Sequence, residues 1–344
     1  MAIEIIATGR AIPPRRLTND DLAGQIDTSD EWIKSHTGIR ARHIADDSKA
    51  CSDLAIEAVK NALARAVETG VVAEKTVEEL ALTIDLILLA TTTQDYYGHP
   101  ATACIVQGKI GAANAAAMDI TAACSGFIYG LETAAGLLAI SQKRKRALVI
   151  GSEVLSRITD WSDRASCVLF GDGAGAVLVE KTGAPTAGKG RRGLVRSILA
   201  ADGSGAGYLL VHRGGSREPF KAGEVVDIPP HICMEGQAVY YFAVKAVTET
   251  IENLLKEDGI TIDDVSRIVP HQANARIVQA AGKRAGIPEE KFYLNIDEYA
   301  NTSSASIPIA LDELARDGKI RRGDLIMTVG FGAGLTYGGN LIVW

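Results

Sequence analysis

The sequence predicts an α/β fold in which helices cover buried sheets, built as two related halves. Three observations carry this. Short apolar runs recur along the chain, Ala-rich helical stretches separate them, and one order of strand, helix and Gly-rich turn occurs twice.

The runs at 86–90, 147–151, 176–179, 268–270 and 325–329 are apolar with little alternation. That is the pattern of strands buried on both faces. Stretches 52–66, 126–141 and 241–256 are long enough, and rich enough in Ala, to be helices. Alternating strands and helices of this kind predict layered sheets with helical cover. Residues 68–79 and 183–193 read as surface connections, the second joining the halves. The halves are therefore expected at 1–183 and 184–344, a division that 344 residues also favour.

The repeat has particular landmarks. The run DLILLA at 85–90 is followed by Ile105-Val106-Gln107, a strand, Cys124, an apolar helix and ALVIG. The run at 265–270 is followed by Ile277-Val278-Gln279, a strand, Asn301, a helix at 305–315 and LIMTVG. Each half then has a Gly-rich turn into a last strand, FGDGAGAVLV from Phe170 and FGAGLTYGGNLIV from Phe331. A duplication predicts that Cys124 and Asn301 lie at equivalent strand-to-helix corners. FGAGLTYGG is not a dinucleotide fingerprint, because only ten residues follow Gly334 and no strand–helix–strand unit fits there.

Composition bounds the function. Apolar residues make up 47% of the chain and charged residues 23%, an ordinary globular balance. The net charge is −6, which gives no reason to expect nucleic acid. The basic runs 143–146 and 189–192 read as solvated loops. Cys51, Cys104, Cys124, Cys167 and Cys233 include no CxxC pair, and MAIEIIATG lacks the form of a secretory leader. Reduced thiols in the cytoplasm are expected, with no metal site. No run approaches the roughly 20 apolar residues of a membrane span.

Cys124 stands between an apolar strand and an almost uncharged helix. A helix N-terminus favours thiolate, the nucleophilic form. His271, after the run ending at Pro270, and Asn301, before the helix at 305–315, also fall in strand-to-helix connections, where open α/β sheets hold ligands. Taken alone, these residues leave structural readings open: a small buried apolar Cys124, a loop His271 and a helix cap at Asn301.

The motifs TSDEWIKSHTGIRARH (28–43), TAACSGF (121–127), GSEVLSR (151–157), DRASCVLFGDGAGAV (163–177), PHQANARI (270–277), NTSSASIPIALDE (301–313) and FGAGLTYGG (331–339) occur in order along nearly the whole chain. Together they resemble the β-ketoacyl-acyl-carrier-protein synthase III family of condensing enzymes. The resemblance implies a thiolase-like, five-layered α-β-α-β-α fold and a homodimer. It implies a triad of Cys124, His271 and Asn301, with an oxyanion hole from the backbone of Cys124 and Ala333. An acyl-CoA primer would load Cys124 and then join a malonyl thioester of acyl carrier protein, with loss of CO₂. CoA would be a substrate, and no cofactor is implied.

The same resemblance implies CoA contacts at Trp32, His36, Arg164 and Asn274, and an aromatic wall at Phe331. Carrier-protein docking would fall to Arg276 and Lys245. Two positions depart from the family pattern: His36 and Tyr241 stand where basic residues are usual. The stretch 94–100, QDYYGHP, corresponds to a loop that the dimer partner lends to the acyl pocket. Initiation of fatty acid synthesis is the expected role. A related Cys-His-Asn enzyme of polyketide, quinolone or other secondary metabolism is the alternative, and a non-catalytic chain-binding subunit is a third reading.

Overall fold

The computed structural model describes residues 2–183, 192–223, 230–256 and 259–344. Most of the expected connection at 183–193 and Lys189 to Arg191 of the second basic run therefore lie outside the described residues.

Two sheets form the frame. The first has five strands in the order Ala2–Ala11, Gly173–Thr182, Arg146–Glu153, Leu86–Ala90, Ala116–Ile120. The first three are mutually antiparallel neighbours, and the last three are parallel. The second sheet has Gly193–Ala201, Thr336–Val343, Leu325–Gly332 and Val265–Pro270 in the corresponding order and directions. A single parallel bridge from Ile268 to Phe292 stands where the fifth strand would continue it.

The layers follow from which residues each strand turns to which side. Leu86 and Leu88 face the centre of the molecule, whereas Ile87 and Leu89 face outward. Helix Cys51–Glu68 covers the outer face with a stripe of Leu54, Ala55, Ala58, Val59, Ala62, Leu63 and Ala66, spaced at helical period. Helices Gly126–Ala139 and Ser306–Arg316 fill the space between the sheets. The first is apolar nearly all round, as a helix buried on both sides must be. Helix Gly236–Leu255 covers the outer face of the second sheet. The result is the expected helix–sheet–helix–sheet–helix stack.

Local predictions fared unevenly. The strand at 86–90 is found with those bounds. Strands Ala2–Ala11 and Gly193–Ala201 were not legible: Glu4, Thr8 and Arg10 interrupt the first, and Arg196 and Ser197 break the second, which is only half-buried. The connection at 68–79 runs into a short helix, Val77–Ala81, capped by Thr76. In the run 143–146, Arg146 is not solvated: it opens a strand and pairs with Glu74 and Glu180.

Candidate active site

Cys124 lies in a single 3-10 turn, Ala123–Ser125, between the strand Ala116–Ile120 and the helix Gly126–Ala139. Ala123 has φ +46°, an unfavourable value for a residue with a Cβ, and this sharp turn presents the thiol. Gly332 is required beside it, because a Cβ there would lie 2.6 Å from the Cys124 nitrogen. Ser125 Oγ lies 2.8 Å from Thr336 Oγ1, which lies 3.0 Å from both Ala122 O and Ala333 O. These hydroxyls tie the Ala333 loop to the nucleophile turn.

The corresponding turn of the second half is Ser303–Ala305, ahead of Ser306–Arg316, and Ser303 has φ +48°. The matching backbone sets Ser304 opposite Cys124. Asn301 belongs to the same corner but lies three positions earlier, a correction to the direct equivalence expected from sequence. Asn301 N and O bond Leu169 O and Gly171 N at 2.9 and 3.0 Å. Its Oδ1 accepts the Ser303 N–H at 2.8 Å, so its amide N–H₂ is left facing away from that bond.

His271 follows the strand Val265–Pro270 and is buried. Burial holds its imidazole down at about 3, so the ring is neutral at physiological pH. Its Nδ1 lies 2.8 Å from Ser306 Oγ, which also accepts the Gln272 N–H at 3.4 Å. If Nδ1 carried the proton, Ser306 would receive two donors and its own buried hydroxyl proton would lack a partner in this cluster, at a cost of about 1–3 kcal/mol. The balanced arrangement has Ser306 donating to Nδ1, with the ring proton on Nε2. Ser306 was not singled out from sequence, since one serine among three in NTSSAS carries no distinguishing signal. Gln272 holds the loop, its Nε2 donating to Pro270 O and Tyr293 O and its Oε1 accepting from Asn295 N.

Cys124, His271 and Asn301 line one cavity of about 460 Å³, together with Phe331, Ala333, Trp32, His36 and Asn274. Phe331 meets the His271 ring edge to face at 5.4 Å. Among the described residues, no cluster of His, Cys, Asp or Glu has the makings of a metal site.

Two opposed influences act on the Cys124 thiol. Burial pushes its thiol up to about 12, opposed by a hydrogen bond from Ser303 and reinforced by Glu153. A helix terminus contributes about 0.3–2 kcal/mol, whereas each tenfold in acidity takes about 1.4 kcal/mol. The helix terminus therefore works against the desolvation of a thiol that is partly exposed to the cavity.

The remaining predicted contacts lie toward the cavity mouth or on the surface. Arg164 sits 4.0 Å over the Trp32 ring, and His36 stacks on the same ring at 4.4 Å. An adenine between Trp32 and Arg164 needs about 7 Å, two contact distances, so the guanidinium must lift to admit one. Asn274 caps the helix Ala275–Ala285 through Oδ1 and donates to His36 O, which leaves one N–H for a ligand. Arg276 and Lys245 are exposed on helices whose first turns border the cavity, and Lys245 pairs with Glu249 at 3.9 Å. Tyr96 and Tyr97 of 94–100 are exposed, and no residue of that stretch lines the cavity.

Family models described as 3-oxoacyl-[acyl-carrier-protein] synthase III and its C-terminal region match residues 118–203 and 255–344. A β-ketoacyl-[acyl-carrier-protein] synthase III of Caldanaerobacter subterraneus is 48% identical, covering 100% of this chain and 98% of that one. The chain belongs to this synthase III family. It is an acyltransferase of the condensing type and has the family's thiolase-like fold. The 3-oxoacyl-[acyl-carrier-protein] synthase III of Aquifex aeolicus is 40% identical, covers 100% of both chains and superposes with a TM-score of 0.85. The priming β-ketosynthase of the R1128 polyketide pathway is 31% identical over 99% of this chain and 96% of its own, with a TM-score of 0.86.

Proposed function

We propose that the chain condenses an acyl-CoA primer with malonyl-acyl-carrier-protein, releasing CO₂ and giving a β-ketoacyl-acyl-carrier-protein that starts a fatty acid. The observation that carries this reading is one cavity lined by a thiol and two neutral side chains with N–H groups to offer, Cys124, His271 and Asn301.

Cys124 sulfur attacks the thioester carbonyl of the primer, and the CoA sulfur leaves. The oxyanion formed on the way is held by the N–H groups of Cys124 and Ala333. Malonyl thioester then enters. Loss of CO₂ leaves an enolate whose oxygen accepts from His271 Nε2–H and Asn301 Nδ2–H. The enolate carbon attacks the acyl-Cys124 carbonyl, and the thiolate returns. Neutral donors suit this step, because a charged imidazolium would surrender its proton to the enolate and stop the carbon from attacking.

Trp32, Arg164, His36 and Asn274 border the path of CoA, and Arg276 and Lys245 offer positive charge to an acidic carrier protein. A homodimer would bring 94–100 of one chain to the cavity of the other. Among the described residues no helix is long and apolar enough to cross a membrane. The likeness to the R1128 enzyme favours priming of a polyketide as the second reading. Incubation with acetyl-CoA and longer acyl-CoAs, then mass spectrometry, tests the chemistry. The adduct is expected on the peptide containing Cys124; an adduct on Cys104, or none with any primer, would overturn it.

A further inference from the structure

Arg42 is a fully buried cation that the mechanism above does not use. It lies on the strand Ala41–Ile44, which pairs antiparallel with Arg15–Thr18. Burial lowers its pKa to about 10, so the guanidinium keeps its charge at neutral pH. No carboxylate among the described residues pairs with it, and its Nε is buried without a hydrogen-bond partner. A charge buried without a counter-ion is costly, and a methionine of similar length would fill the space without that cost. Simple packing therefore does not account for the arginine. The acceptors of its other two nitrogens show what it joins.

Arg42 Nη1 donates to Asn19 Oδ1 at 2.9 Å and reaches Leu17 O at 3.4 Å. Asn19 is itself buried, and its Nδ2 donates to Asp30 Oδ1 at 2.9 Å and to Ile39 O at 2.8 Å. Asp30 opens the helix Asp30–Thr37, which carries Trp32 and His36, and Ile39 follows its C-cap, Gly38. One amide thus clasps both ends of that helix. Arg42 Nη2 donates to Val168 O at 2.7 Å. Val168 ends the short helix Arg164–Cys167, which carries Arg164, and both Ala165 and Val168 line the cavity. A planar guanidinium holds its donors in a fixed fork, so it sets the distance and angle between two acceptors. The two helices that bring Arg164 to 4.0 Å over the Trp32 ring are therefore joined through the buried side chains of Arg42 and Asn19.

We propose that Arg42 is a positioning residue for CoA: through Asn19 and Val168 O it fixes the spacing of the Trp32 and Arg164 helices, and with it the slot that receives the adenine of the primer. The inference deepens the reading that CoA passes between Trp32 and Arg164, and rests on it. Arg42 does not line the cavity and touches no reacting atom. Cys124, His271 and Asn301 are held by other elements, so the contact that Arg42 governs is with the nucleotide end of the substrate and not with the thioester. With both helices held at their ends, the Arg164 side chain can lift from Trp32 while the backbones keep their spacing.

The test compares two primers on the full-length enzyme with malonyl-acyl-carrier-protein: acetyl-CoA, and acetyl-pantetheine, which carries the same thioester without the nucleotide. The readout is the ratio of their kcat/KM values. Arg42→Met should lower the preference for acetyl-CoA by about 2- to 30-fold, the worth of the one stacked contact it aligns, mainly through a higher KM for acetyl-CoA. Asn19→Ala spares the Arg42–Val168 bond and cuts only the tie to the Trp32 helix. It should shift the ratio the same way, and it serves if Arg42→Met does not fold. A residue that only supports the fold would, when replaced, slow both primers alike and leave the ratio unchanged. The wild-type ratio in Arg42→Met or Asn19→Ala, while Trp32→Ala lowers it, overturns the proposal. The wild-type ratio in Trp32→Ala refutes instead the CoA path on which the proposal rests.

Discussion

The turn before Gly126–Ala139 and the turn before Ser306–Arg316 share a backbone, with Ala123 at φ +46° and Ser303 at φ +48°, and differ in what surrounds it. Leu148 and Ile150 face the outer core of one half, and Met327 and Val329 the outer core of the other, so Gly151 matches Gly330 and Glu153 matches Gly332. In the first corner Cys124 therefore faces a glycine, and its flank opens into a cavity. In the second, Ser304 faces the Glu153 carboxyl and bonds both it and Ala90 O. One copy of the corner keeps space for a substrate; the other closes that space with a hydrogen-bonded network and lends Asn301 and Ser303 to the first.

The largest contrast is between the two corner residues. Cys124→Ala should form no acyl-enzyme with any acyl-CoA. Ser304→Ala should still be acylated, but should be less stable by about 1–3 kcal/mol, because Glu153 and Ala90 O lose the one buried hydroxyl that joins them. Intact mass and chemical denaturation measure the two effects. A Ser304→Ala enzyme that keeps its stability and loses acylation would erase the distinction.

A smaller effect separates the corners by pH. The folded His271 titrates near 3 against an ordinary value of 6.5, so the unfolded chain binds more protons between them. Its contribution to stability is full above about 6.5 and is lost as pH falls toward 3. Denaturation curves of His271→Gln should lack that part of the acid sensitivity. If the variant loses stability with acid as steeply as the wild type, His271 is not the buried neutral ring described.

The least effect lies farthest from both corners. Trp32→Ala should raise the KM for acyl-CoA by about 2- to 30-fold, the worth of one stacked cation–aromatic contact, with a smaller change in kcat. Unchanged CoA affinity would remove Trp32 and Arg164 from the binding path.

The sequence made the first corner more legible than the second. Apolar runs such as 86–90 identify strands buried on both faces, and TAACSGF isolates one cysteine at a helix start. Cys124, His271 and Asn301 were legible together only through the ordered motifs, because each alone has an ordinary structural reading. Ser303, Ser304 and Ser306 do three different things within four positions, and only the left-handed turn at Ser303 tells them apart. Glu153 was hidden for a similar reason: a lone acid at the end of an apolar run resembles a solvated strand terminus until the threonines 91–93 close over it.

The division of labour across the two corners is tested most directly by separating the half-reactions. On one preparation each of His271→Ala and Asn301→Ala, trapped acyl-enzyme from acetyl-CoA and CO₂ release from malonyl-acyl-carrier-protein should be measured together. Both variants should still carry acetyl on Cys124, with CO₂ release reduced about 10²–10³-fold, the usual loss when one oxyanion donor is removed. An Asn301→Ala enzyme that fails to acylate yet decarboxylates at the wild-type rate would contradict the account.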